Sequence, residues 1–264
     1  MAQALKGIRE YRLRFSESDR FGRMKLKTFF DYAQEVAGDH ASQLGVGLET
    51  LLPLHRSWFL SRMKLEILQY PMVGSDIRVT TWPAGFDRLL ARREFRFAER
   101  TPASSPEDPS SFRLVARATS NWLLMDTAAM RILPAERLCG PLLEGFSQED
   151  VAFPSLGKLP ALPETEDSLP LKVRPTQIDV NGHLNNAEYA AILQDALGIG
   201  VYPATFQLNY QKAVPPEATL SVSCQRDGAG EEGFLCTGRV DGAVSFEAAG
   251  TLLTVKQGDQ EHGI

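Results

Sequence analysis

The residues best equipped for chemistry lie in one stretch, Gln177 to Tyr189, which reads QIDVNGHLNNAEY. Asp179, Asn181 and His183 stand at alternate positions, so in an extended segment they share one face. An acid, an amide and an imidazole would then project together. Gly182 permits a sharp bend that a side chain would resist. Asn185 or Asn186 can cap a helix, because an amide oxygen accepts the free N–H groups of the first turn. The run from Tyr189 to Leu197 is rich in helix formers and ends at Gly198. The stretch therefore predicts a strand end, a polar bend and a helix start. A helix start also offers orphan N–H groups and partial positive charge, which polarise a carbonyl. The bland alternative is an ornate helix cap, since Asn, Gly and Asp are the usual turn residues. The rest of the chain decides between them.

Composition narrows the classes. The chain has 264 residues, 43% of them apolar, which is enough for a sizeable core. The net charge of −5 argues against a nucleic-acid protein. Cys139, Cys224 and Cys236 are odd in number and widely spaced, with no CxxC pair and no metal-ligand spacing with the four His residues. Free thiols in a reducing compartment are expected, with no metal and no cofactor. The first residues lack the apolar run of a secretion signal, and no window approaches a bilayer span. The expectation is a cytoplasmic protein.

The elements that must position the bend occur twice. A strand near Tyr11–Phe15, a polar bend at Ser16–Arg23 and a helix over Leu26–Leu44 precede a meander of strands up to Arg131–Pro134. Residues 140–170 are rich in Pro and acidic side chains and read as a linker. The order then restarts: a strand at Leu171–Arg174, the bend, a helix from about Asn185 to Leu197, and four more strands. At an offset of 160 residues Arg14 falls on Arg174, Asp19 on Asp179, Gly22 on Gly182, Gln34 on Gln194 and Gly38 on Gly198. Coincident periodicity and element order point to a duplication. The fold class expected is α+β, each unit a long helix wrapped by an antiparallel sheet. The domains expected are 1–139, a linker at 140–170, and 171–264. The first copy carries Phe21 and Arg23 where the second has Asn181 and His183. This asymmetry assigns chemistry to the second copy and leaves the first to bind or shape a pocket.

With these residues in view, the chain resembles the acyl-acyl carrier protein thioesterases of the bacterial and plant type. The resemblance rests on DVNGHLNNAEY, on FDYAQEVAGDHASQLGVG, on SWFLSRMKLEILQYPMVGSDIRVTTWP, on ATSNWLLMD and on RILP. It covers nearly the whole chain and is weakest in the linker and after Gln225. It implies a tandem hotdog fold, hydrolysis of acyl-acyl carrier protein to free fatty acid and holo-carrier protein, and catalysis by Asp179, Asn181 and His183. The family also carries an acid, followed in plant members by Cys, at the end of the next strand. Here those positions are Ala213 and Val214, so another acid such as Glu217 or Glu188 would have to substitute.

Thioester hydrolysis needs a stabilised carbonyl oxygen and an activated water or carboxylate, while the thiolate leaves readily. N–H groups after Asn185 suit the first need. Asp179 and His183 are alternative bases, with Asn181 holding the water or the ring. Asn185, Asn186, Trp58, Phe30 and Met63 are candidates for binding the acyl group, although core packing explains the last three equally well. His40 beside Asp39 reads as a cap or core residue, and His55 as a loop residue. The basic run Arg88, Arg92, Arg93, Arg96 is ordinarily a solvated sheet face. Alternatively Arg92 and Arg93 dock an acidic carrier protein. The rival functions are an acyl-CoA thioesterase and a non-catalytic acyl-binding protein. Exposed sheet edges would allow a homodimer.

Overall fold

The computed structural model describes residues 6–101, 111–140, 151–153, 155–165, 168–226 and 233–253. It divides into two units. One comprises Met1–Arg14 and Asp31–Leu156, the other Phe15–Phe30 and Gly157–Ile264. The first polar bend thus groups with the second unit, and the linker is shared between the two at Leu156/Gly157.

In the first unit, helix α1 (Leu26–Gln43, beginning in the other unit) contributes Ala33, Val36 and Ala37 to the core. The strands are β1 (Gly7–Arg12), β2 (Arg56–Ile67), β3 (Asp76–Asp87), β4 (Leu90–Arg100), β5 (Phe112–Asp126) and β6 (Arg131–Leu133). They pair antiparallel in the order β1-β3-β4-β5-β2, with β6 beside β5. Period-2 alternation buries Ile77, Val79, Phe95 and Phe97 on one face, as the pleat requires. A register slip in β2 between Leu60 and Arg62 accounts for the break in its alternation. Tyr11 and Tyr32 stack with ring centroids 3.9 Å apart, joining β1 to α1. His40 is fully buried against Gly7, where an added Cβ would lie 2.7 Å from the His40 Cβ. His40 is therefore a core residue.

In the second unit, helix α2 (Asn186–Leu197) accompanies β7 (Leu169–Lys172), β8 (Pro203–Tyr210), β9 (Thr219–Arg226), β10 (Gly233–Val240) and β11 (Ala243–Leu252). The strand order is β8-β11-β10-β9-β7, again antiparallel. Phe206, Leu208, Leu220, Val222, Phe246 and Ala248 are buried with Tyr189, Ala190, Leu193 and Leu197 of the helix. This is the hotdog arrangement in each unit, a helix laid along a curved antiparallel sheet.

The linker is held by side chains of the sheets. Ala152 N–H donates to Glu94 Oε2 at 2.9 Å and Phe153 N–H to Thr119 Oγ1 at 3.2 Å. In the second unit, Gln207 Nε2 donates to Gly157 O at 2.8 Å, and Leu162 N–H to Thr237 Oγ1 at 2.9 Å.

One expectation is corrected. Cys224 and Cys236 are not free thiols: they face each other across β9 and β10, Cα atoms 4.1 Å apart, and form a disulfide. The side chain of Cys139 lies outside the described residues.

Candidate active site

The bend of the second copy is built by its backbone before any side chain acts. A 3-10 turn, Pro175–Gln177, leads into an isolated bridge between Ile178 and Leu184. Between them the chain reverses: Asp179 N–H donates to His183 O at 3.0 Å, and Gly182 N–H to Asp179 O at 3.0 Å. Gly182 takes a φ of 77°, a left-handed conformation that favours glycine. Asp179 Oδ1 accepts Asn181 N–H at 2.8 Å, an Asx turn that locks the loop. Leu184 N–H then donates to Val214 O and Asn185 N–H to Gln177 O, each at 2.9 Å, and the helix begins.

This geometry corrects the expected alternating strand face. Residues 179–183 form a tight turn rather than an extended segment. Asp179 and His183 are brought together at its base and are half-buried, while Asn181 stands at its exposed tip. The turn was hidden because polar alternation alone does not distinguish a strand end from an Asx turn closed by a left-handed glycine.

The first copy has the same backbone, 160 residues earlier. Asp19 N–H donates to Arg23 O at 2.8 Å, Gly22 N–H to Asp19 O at 3.0 Å, and Phe21 N–H to Asp19 Oδ1 at 2.8 Å. Gly22 has a φ of 75°, and a bridge joins Ser18 to Met24. The two copies differ in what meets the remaining groups. Asp19 Oδ2 accepts the Tyr202 hydroxyl at 2.7 Å, and the Arg23 guanidinium lies 4.4 Å from the Tyr202 ring centroid. The first N–H of α1, on Leu26, donates to Gln194 Oε1 at 2.9 Å.

In the second copy the corresponding groups are open. Asp179 Oδ2 receives a long contact of 3.5 Å from Asn185 Nδ2. Asn185 is the helix cap: its Oδ1 accepts Ala187 N–H at 2.9 Å, and its carbonyl accepts Glu188 N–H at 2.9 Å. Asn186 N–H, the first of α2, has no partner among the described residues. The second bend thus presents an N–H at the positive end of a helix, and a carboxylate oxygen that meets the side chain of the cap residue just before it. The first has both filled by side chains.

Around the bend, Glu188 accepts Gln177 Nε2 at 2.9 Å and pairs with Lys27 Nζ at 3.4 Å. These contacts brace the loop against α2 and commit Glu188 to structure. Glu217 sits exposed in the turn after β8, and Ala213 is exposed with Val214 buried beside it. Asp179 is therefore the carboxylate of the bend. Sequence reasoning missed Gln177, Lys27, Gln194 and Tyr202. Only Gln194 left a signal, its match to Gln34 in the repeat.

The other candidates fall elsewhere. Phe30 is buried in the second unit against Phe206, ring centroids 6.0 Å apart. Trp58 belongs to the first unit, where its indole N–H donates to Val46 O at 3.0 Å and its ring packs against Leu44 and Val46. Met63 is buried in the same unit. Arg92 and Arg93, adjacent on β4, point to opposite faces. Arg93 turns inward, donating to Thr81 Oγ1 at 3.3 Å with His40 Nδ1 3.2 Å away, so the two do not form a joint basic patch.

Known proteins share this chain's pattern. Residues 5–136 match the family described as acyl-ACP thioesterase N-terminal domain, and residues 161–250 the acyl-ACP thioesterase C-terminal domain. Oleoyl-acyl carrier protein thioesterase 2, chloroplastic, of Arabidopsis thaliana is 28% identical over 182 residues, 62% of this chain and 46% of its own length. Dodecanoyl-[acyl-carrier-protein] hydrolase, chloroplastic, of Umbellularia californica is 25% identical over 224 residues, 78% of this chain and 56% of its own. The chain thus spans about half the length of the curated relatives it matches. Among solved structures, a 12:0-ACP thioesterase from Umbellularia californica superposes with a TM-score of 0.77 at 21% identity, covering 95% of each chain. An acyl-ACP thioesterase from Bacteroides thetaiotaomicron gives 0.75 at 21% identity, covering 94% of this chain and 98% of its own. At these identities the structures speak to the fold alone.

Proposed function

Because the chain belongs to the acyl-ACP thioesterase family, we propose that it hydrolyses the thioester of acyl-acyl carrier protein, releasing a fatty acid and holo-carrier protein. The observation that supports this best is the contrast between the two bends. Among the described residues, the second leaves its helix-start N–H without a partner and gives one carboxylate oxygen a single long contact, where the first fills both groups. A thioester carbonyl placed at Asn186 N–H would have its developing negative charge stabilised by that donor and by the helix dipole. Water attacks the carbonyl carbon and gives its proton to Asp179 or His183. The tetrahedral intermediate collapses, the C–S bond breaks, and the thiolate departs and takes up a proton. A thiolate is a good leaving group, so the loss of the family acid at Ala213 leaves the reaction possible with Asp179 as the one carboxylate.

Ala213 also favours a second reading, an acyl-binding protein without turnover. A third is hydrolysis of acyl-CoA at the same site. Matched acyl-acyl carrier protein and acyl-CoA substrates separate the three. Preferential release of fatty acid from the carrier protein is expected. Retained acyl binding with no hydrolysis of either substrate would establish the second reading. His183→Ala is expected to lower turnover by on the order of 100-fold with an unchanged melting curve. An unchanged rate would remove His183 from the site.

A further inference from the structure

Gln177, just before the second bend, is half-buried and engages all four of its polar groups. Its N–H donates to Arg174 O at 3.0 Å, and its Oε1 accepts Arg174 N–H at 2.9 Å. These two bonds close the turn that enters the bend. Its carbonyl accepts Asn185 N–H at 2.9 Å, and its Nε2 donates to Glu188 Oε2 at 2.9 Å. These two reach past the bend to the cap and the first turn of α2. The loop 178–184 is thus pinned at both ends by one residue.

The first copy joins the same two positions by different chemistry. Glu17 stands where Gln177 does, and Thr28 where Glu188 does. There the Glu17 carbonyl accepts Lys25 N–H at 3.0 Å and the Thr28 hydroxyl at 2.9 Å. In the second copy the tie to the helix runs from side chain to side chain and ends on a charge. Glu188 Oε1 also pairs with Lys27 Nζ at 3.4 Å, and the Glu188 side chain is 14% exposed. A carboxylate only accepts, so it turns the Gln177 amide nitrogen toward the helix and leaves the amide oxygen for Arg174 N–H. Asn185, held by the Gln177 carbonyl, is the residue that caps α2 and contacts Asp179 Oδ2. A slip between loop and helix would therefore move Asp179 against the helix start.

Resting on the reading of this bend as the thioester-hydrolysing site, we propose that Gln177 is a positioning residue for the reaction. Its bond to Glu188 fixes how the loop that carries Asp179 and His183 meets the helix start at Asn186. Lys27, from the start of α1, holds the far side of the same carboxylate. The helix start of the first copy thereby steadies the bend of the second.

The test is a side-chain swap in the full chain. Turnover of an acyl-acyl carrier protein substrate is measured well below each variant's melting transition. Gln177→Glu keeps the main-chain bonds and the acceptor for Arg174 N–H, but removes the donor and sets a second carboxylate against Glu188. Its kcat is expected to fall about tenfold, the weight of one charge-assisted hydrogen bond. KM should stay within about twofold, since a positioning group acts on the chemical step. Glu188→Gln keeps an acceptor for Gln177 Nε2 and should hold kcat within about threefold of wild type. Combining the two reverses donor and acceptor, so the double variant should recover to within about threefold of wild type. Gln177→Leu removes both polar atoms without adding charge. It should lose about tenfold and recover nothing when Glu188→Gln is added. A brace that serves stability alone would lower the melting temperature and leave the kcat of the folded protein unchanged. Unchanged kcat in Gln177→Glu and Gln177→Leu, in a wild type that hydrolyses the substrate, would overturn the proposal and leave the functional reading intact. So would a loss in Gln177→Glu that the swap fails to recover. A wild type that hydrolyses neither thioester would overturn both.

Discussion

Asp179 has two oxygens with two tasks. Oδ1 holds the turn through Asn181 N–H, and Oδ2, which among the described residues has a long contact from Asn185, is the atom we propose for chemistry. An amide keeps the first task and loses the second. Asp179→Asn is therefore expected to change the unfolding free energy by less than about 1 kcal/mol. It should lower kcat by on the order of 100-fold or more. Asp19→Asn retains the equivalent turn bond to Phe21 N–H and should leave kcat within about twofold of wild type. Thermal melts and turnover on both variants check the pair. The sequence reveals Asp179 and His183 as neighbours in a polar bend, because acid, Gly and imidazole lie within five positions. It leaves Asn185 and Asn186 interchangeable, since either can cap. Backbone geometry separates them: Asn185 spends its side chain on the cap, and Asn186 offers its N–H.

Among the elements, the two helices are the most legible. Leu26–Gln43 and Asn186–Leu197 both begin where the bend ends, and Gly198 terminates the second with a φ of 95°. The β9–β10 hairpin is the least legible. Its cysteines lie 12 residues apart in sequence, and only the register that pairs Cys224 with Cys236 shows that they meet. Closing so short a loop covalently contributes about 2–3 kcal/mol in the chain-entropy account. Reductant should therefore lower the melting temperature of the wild type. A Cys224→Ser/Cys236→Ser variant should start at that lower value and ignore reductant. A reductant-insensitive wild type would contradict the expectation.

At the scale of the whole molecule, stability should depend on pH through Glu94. Its carboxyl is 1% exposed, and burial raises its pKa from 4.5 to about 7, although Ala152 N–H and Thr119 favour the charged form. Below pH 4.5 the group is protonated in both the folded and unfolded chain, and its contribution is fully present. As pH rises toward 7 the unfolded chain ionises more readily, so that contribution is lost. The loss amounts to about 3 kcal/mol and is complete above pH 7. Glu94→Gln should flatten this slope and raise stability at pH 8, measured by denaturant unfolding across the range. Nothing in the local sequence marks Glu94, since its burial depends on a linker more than fifty positions away. The repeat, by contrast, is legible from a handful of matched residues, because Asp, Gly and a helix start at fixed spacing build the same turn wherever they occur.

Each bend is specified by its own stretch of the chain. In an assembly of identical single units, a substitution at one bend would be inherited at every copy. Here a change at position 21 or 23 has no echo at 181 or 183, so the two loops can carry different side chains on one kind of turn. Tandem encoding turns an obligatory symmetry into a heritable choice, and the divergence of these two loops records that choice having been made.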